Sequence, residues 1–186
     1  MSRFSALPKT SNGIERVITT ECGISEAFSI FEMQQKLPHP QITQFNAVSD
    51  TGASSSAISP RVVSALGLIP TGWGFSDTAA GRSKVQKYGV NVLLPNGVGF
   101  RCMEVSCNNM KVDVLIGMDI ICQGDFCVTN KNGKSIFTFQ TPSSHDYDFV
   151  KEIDKFRKIH ETWAKHGNTK CPCGRGLSWD KCHGKK

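Results

Sequence analysis

The apolar residues of this chain change period near residue 142. Before that point they fall in short β-branched and aromatic runs separated by turn signals; beyond it they recur at helical spacing. Residues 1–13, rich in Ser, Pro, Lys and Gly, predict a flexible start. From Ile14 to about Phe31, stretches such as Arg16-Val-Ile-Thr-Thr predict one or two strands. Leu37-Pro-His-Pro-Gln reads as a loop, because two prolines so close can continue neither a helix nor a central strand. Phe45-Asn-Ala-Val-Ser predicts a short strand leading into Asp50-Thr-Gly-Ala-Ser. A short helix follows, with Ser59 at the N-cap, Pro60 at the first helical position, Val62, Val63 and Leu66 on the buried face and Gly67 as the stop. Strands are then expected over Lys84–Leu94, over Val98–Val105 after a Pro95-Asn-Gly turn, and along the apolar run Val112–Ile121. A hairpin is expected around Asn132-Gly133. Many short strands and few helices make residues 14–141 a mostly-β domain.

Past Pro142, Phe149, Val150, Ile153, Phe156, Ile159 and Trp163 recur on one face of a helix, with charges between them. Asp146 or Asp148 suits its start, and His166-Gly167 its end. This amphipathic helix and its linker occupy 142–170. The stripe is expected to pack on the β domain or on a second subunit. A membrane-surface helix fits less well, since the polar face mixes both signs of charge.

Composition narrows the class. The chain has 186 residues, 39% hydrophobic and 20% charged, enough for one packed domain and a small appendage. It has no run of about 18 apolar residues, and Met1 to Lys9 lacks the apolar stretch of a secretory signal, so a cytoplasmic protein without a membrane span is expected. The net charge of +6 is loaded into the tail, where Lys165, Lys170, Arg175, Lys181, Lys185 and Lys186 face only Asp180. Such a tail attracts RNA, ribosomes or acidic proteins, or simply keeps the chain solvated. Five of the eight cysteines (Cys22, Cys102, Cys107, Cys122 and Cys127) are scattered and read as reduced, mostly buried thiols. His39, His145, His160 and His166 show no ligand spacing, and Trp73 and Phe75 read as core or as pocket lining.

Asp50-Thr-Gly is flanked by an apolar strand, followed by a capped helix, and complemented by the downstream strand ending in Leu115-Ile-Gly-Met-Asp. This ensemble, over residues 44–141, resembles the retropepsin family of single-domain aspartic proteases of retroviral type. The resemblance implies an acid-protease barrel and an endopeptidase in which two carboxylates share a proton and activate a water. One motif per chain then implies a homodimer with Asp50 from each subunit. It further implies that Thr51 bonds across the dimer axis, that Gly52 allows a close turn, and that Ala79, Ala80 and Gly81 form the tip of a substrate-covering flap. Gly117 would pass close behind the catalytic loop, and Asp119 would anchor structure rather than react. Ala53 brings no hydroxyl to the carboxylate, which predicts hydrolysis nearer neutral pH than a gastric protease works.

The tail, 171–186, holds Cys171-Pro-Cys173 and Cys182-His183. Two close ligand pairs joined by a short loop suit tetrahedral zinc, and four protein ligands make the site structural. The string resembles the SEC-C motif, a zinc-binding tail that implies docking to another protein or to the ribosome. The leading expectation is therefore a homodimeric aspartic endopeptidase with a polypeptide substrate, structural zinc in its tail and no cofactor at its active site. The alternative is a catalytically inactive retropepsin-like dimeric adaptor whose zinc tail binds a protein, ribosome or RNA.

Overall fold

The computed structural model describes residues 5–28, 40–78, 81–164, 170–171, 173 and 175–182. The chain forms two compact units, Met1–Ser144 and His145–Lys186.

The first unit runs β1 (Ser5–Thr10), β2 (Ile18–Glu26), β3 (Thr43–Ser49), β4 (Ala57–Ile58), helix α1 (Pro60–Leu66), β5 (Gly72–Thr78), β6 (Gly81–Leu94), β7 (Val98–Cys107), β8 (Val114–Ile116), the short helix α2 (Met118–Ile121), β9 (Asp125–Thr129) and β10 (Ile136–Thr141). Its larger sheet has the order β2-β3-β8-β4-β7-β6-β5, and a further β2–β6 pairing closes six of these strands into a barrel. A smaller sheet has the order β1-β10-β9. The fold is mostly β, as expected. Along β6, Tyr88, Val90, Val92 and Leu94 alternate inward, the period of a strand with one face on a core. They meet Ile24, Ala47, Ile58, Val62, Val98, Val105, Val114 and Ile116 inside the barrel. Each fully buried aliphatic side chain contributes roughly 1.5–3 kcal/mol relative to exposure.

The topology that matters for function is the parallel pairing of β3 with β8, in register Ala47↔Val114 through Ser49↔Ile116. It brings the residues following each strand, Asp50 and Gly117, side by side. Asp113 braces the entry to β8. Its carboxylate receives Arg61 Nη1 at 2.9 and 3.2 Å, and Oδ2 also accepts the Asn46 N–H at 3.3 Å. Burial, with the Asp113 charge nearby, pushes the Cys22 thiol up to about 12, so it stays protonated as a core group.

Four expectations change. Residues 5–10, expected to be loose, pair antiparallel with β10 from Ser5↔Thr141 to Thr10↔Ile136. Ladder bonds outweigh the Ser/Pro composition, and Pro8 is tolerated because β1 is an edge strand. The apolar run 112–121 is not one strand: β8 stops at Ile116, where Gly117 caps α2. Ser59 holds the N-cap position of α1, but its hydroxyl makes no cap bond and is buried without a partner among the described residues. Its N–H instead donates to the Asp113 carbonyl at 2.8 Å. Of the five scattered cysteines only Cys22 is buried; Cys107 is intermediate and Cys102, Cys122 and Cys127 are exposed, all as free thiols. Turn punctuation is as read: Gly67, Gly97 and Gly133 take positive φ of 61, 77 and 72°, and Asn132 joins Gly133 at 57° between β9 and β10.

The second unit contains helix α3 (Phe149–Ala164). Asp148 caps it, with Oδ1 accepting the Val150 N–H at 2.9 Å and the Lys151 N–H at 3.1 Å. The bonds from Lys151, backbone first and then side chain, hold the Asp148 carboxyl below its usual range. A depressed carboxyl stabilises the fold above the unfolded value and stops doing so as pH falls through the folded one. We therefore expect Asp148→Ala to lower the helical circular-dichroism signal at pH 7, and acidification of the wild type below the ordinary carboxylate value of 3.8 to erase the difference between the two.

Candidate active site

Asp50 leaves β3 half-buried, at the head of a loop fixed by backbone bonds on several sides. Its N–H donates to the Ile116 carbonyl at 2.9 Å, and its carbonyl accepts the Ala53 N–H at 3.2 Å. The Gly52 N–H donates to Asp50 Oδ1 at 2.8 Å, so the turn itself aims the carboxylate. Gly52 does not need a left-handed backbone here; a Cβ at this position would lie 3.2 Å from Asp50 Oδ1 and crowd that oxygen. Across from it the Met118 N–H donates to the Ala53 carbonyl at 2.8 Å. At Gly117 an added Cβ would lie 2.6 Å from the Ser55 carbonyl carbon and 3.0 Å from the Ala53 oxygen, so only glycine lets the two segments touch.

Asp119 completes the brace. Its Oδ2 accepts the Ser56 N–H at 2.9 Å and its Oδ1 accepts the Ser56 hydroxyl at 2.7 Å. The same Ser56 oxygen accepts the Gly117 N–H at 3.0 Å. Ser56 was not singled out by sequence reading. The signal available was a serine run, Ser54-Ser-Ser56, directly after the Asp-Thr-Gly-Ala string and followed by apolar Ala57-Ile58.

Asp50 opens onto a groove of about 520 Å³. Its far wall is the end of β5, Phe75–Thr78, which pairs with β6 in register Gly72↔Lys87 to Thr78↔Gly81. Of the expected flap residues, Ala79 and Ala80 lie outside the described residues. Gly81 opens β6 with φ 110°, and its carbonyl accepts the Thr78 hydroxyl at 3.2 Å. Phe75 lines the groove, and like Trp73 it is exposed rather than in the core. Cations lie over both rings, Arg82 4.5 Å from the Phe75 centroid and Lys84 4.7 Å from that of Trp73. Ser54, Ser76, Asp77, Ser106 and Asn108 give the remaining wall a polar character that sequence reading missed. Asn108 Nδ2 donates to Ser76 Oγ at 3.2 Å, tying the hairpin to the end of β7. Thr51 is exposed beside Asp50.

In the second unit, the sulfurs of Cys171, Cys173 and Cys182 lie within 4.8 Å of one another, a cluster that could hold a metal ion. His183, expected as the fourth ligand, lies outside the described residues. Lys170 bridges to Ser178, the Cys171 N–H donates to the Leu177 carbonyl at 2.7 Å, and Gly176 turns the loop with φ 73°. The Arg175 N–H draws the Cys173 thiol down, whereas burial and the neighbouring thiols push Cys182 up to about 11.

The family model for gag-polyprotein putative aspartyl protease matches residues 41–123, the stretch carrying Asp50, Gly117 and Asp119. That stretch is similar to the gag-type aspartyl protease family. A retropepsin-like aspartic protease from Rickettsia conorii is a structural neighbour with 12% identity and a TM-score of 0.44, covering 76% of this chain and 98% of its own. The protease of Simian Foamy Virus (mac) has 15% identity and a TM-score of 0.37, covering 56% and 92% respectively. A search of curated proteins returned no match. Among the described residues no helix is long and apolar enough to cross a membrane.

The brace is testable without any substrate. Asp119→Ala leaves the Ser56 N–H and hydroxyl unpaired and is expected to cost about 1–3 kcal/mol, read by urea unfolding. Gly117→Ala forces backbone apart and should cost at least as much. Unfolding midpoints equal to wild type in both variants would refute the brace.

Proposed function

We propose that this protein is an aspartic endopeptidase that works as a homodimer, one Asp50 from each subunit forming the catalytic dyad. The observation that carries the reading is the placement of Asp50: a half-buried carboxylate at the floor of an open groove, aimed by the Gly52 N–H and held by the segment after β8. A single carboxylate cannot both take a proton from water and give one to the peptide carbonyl. Two of them a few ångströms apart share one proton, because like charges so close cannot both ionise. In the working site one carboxyl removes a proton from the attacking water while the other donates to the carbonyl oxygen, and the two exchange roles as the amine leaves. In this reading Thr51, exposed next to Asp50, bonds backbone across the two-fold axis. The β5–β6 hairpin, with Gly81 near its tip, covers the peptide and excludes water.

The test is cleavage of a mixed peptide library between pH 4 and 7.5 by the wild type and by Asp50→Asn, which keeps the side chain's size and removes its acid. Cutting by the wild type is expected to fall at least about a thousandfold in the variant, with both proteins sedimenting as dimers. A folded, dimeric wild type that cuts nothing would leave the non-catalytic adaptor as the function.

We further propose that the tail binds structural zinc through Cys171, Cys173, Cys182 and His183. Zinc accepts sulfur and imidazole ligands in a tetrahedron, and a segment this short has too little core to hold its shape without the metal. In this reading the ordered tail docks a protein or ribosomal partner with its lysines. Purified protein is expected to carry a single zinc per chain by elemental analysis, and Cys182→Ser to lose it. Binding requires thiolates, so affinity should fall as pH is lowered, with protons released on metal uptake.

A further inference from the structure

On helix α3, Phe149 is 64% exposed, Ile153 51% and Phe156 54%, and the Phe149 ring lies 5.5 Å from that of Tyr147. These three positions, continued in the sequence by His160 and Trp163, alternate steps of four and three residues. That is the spacing of a coiled-coil seam, with 149, 156 and 163 at d positions and 153 and 160 at a positions. The charges fit the same frame. Lys151, Asp154, Lys155, Lys158 and Glu161 fall at the outward b, c and f positions. Of the charged residues only Glu152, at g, and Arg157, at e, border the seam, on opposite sides, with apolar Val150 at e and Ile159 at g beside it. Five residues apart, they do not face each other on one helix. In the single chain Arg157 instead reaches Asp154 at 3.5 Å.

We propose that α3 pairs with α3 of a second copy of this chain as a parallel two-stranded coiled coil, with Glu152 of each helix facing Arg157 of the other. A g residue meets the e residue five positions on in a parallel partner, so the two-fold pair forms this contact twice. In an antiparallel pair g faces g and e faces e, and the complementarity is lost. The charge pattern therefore selects both the occupant and its direction. Sixteen residues make a rod of about 24 Å, too short to associate firmly by itself. The pairing rests on the Asp50 dimer for its tether: once two copies are joined there, each helix meets the other at a high effective concentration.

The test is a dilution series of the full-length chain by sedimentation velocity, with peptide cleavage measured in parallel. Phe156→Glu, at the centre of the seam, is expected to raise the dimer Kd at least about tenfold while the helical circular-dichroism signal persists. Glu152→Arg and Arg157→Glu should each weaken the dimer about three- to tenfold, and the double swap should return to within about twofold of wild type. Helical variants with the wild-type Kd, or a double swap no better than its single parents, would overturn the pairing. If cleavage persists in that case, the Asp50 dimer stands without it. A wild type that is monomeric at every concentration and cuts nothing would remove both.

Discussion

Everything at this site depends on one steric contact, the passage of Gly117 across the backbone of Ala53–Ser55. It brings the end of β8 within hydrogen-bonding range of the Asp50 loop, and the bonds that follow are consequences of that closeness: Asp50 to Ile116, Met118 to Ala53, Gly117 to Ser56. Closeness alone would leave polar groups stranded. Asp119 answers this by accepting two bonds from Ser56, so the loop is held on its far side by a carboxylate and on its near side by backbone. The result is a half-buried carboxylate whose direction is fixed by a shell of backbone and side-chain hydrogen bonds.

Much of this was legible in the sequence because it is carried by residues with special backbone or chemical requirements. Gly117 and Asp119 were assigned through the resemblance over residues 44–141, and Pro60, Gly67 and Asn132-Gly133 marked real boundaries. The helix was legible from its period, and Asp148 rather than Asp146 proved to be its cap. What escaped was of two kinds. Pairing between distant segments, such as β1 on β10, leaves no local trace, since a Ser/Pro-rich strand looks like a loop until its partner is known. Polar residues serving as braces or groove lining, such as Ser56, Asp113 and Asn108, look like ordinary surface until the fold gives them neighbours.

The same logic explains the cysteines. Thiol composition said nothing about location, and the barrel uses only Cys22 as a core group while leaving three others in solvent. Cys171, Cys173 and Cys182 lie elsewhere, gathered by a loop that buries Trp179. The two units thus reach order by different routes. The first relies on aliphatic side chains excluded from water, and the second contains a capped helix and a loop that gathers three cysteines.

The smaller sheet has a consequence for how the chain is made. Its outer strand, Ser5–Thr10, is synthesised long before its partner, Ile136–Thr141. Through most of synthesis the early strand has no native neighbour, and the barrel can close before it does. Docking of the two is then a late event that brings the most distant parts of the unit together, and it exposes a bare strand edge to other nascent copies until it happens.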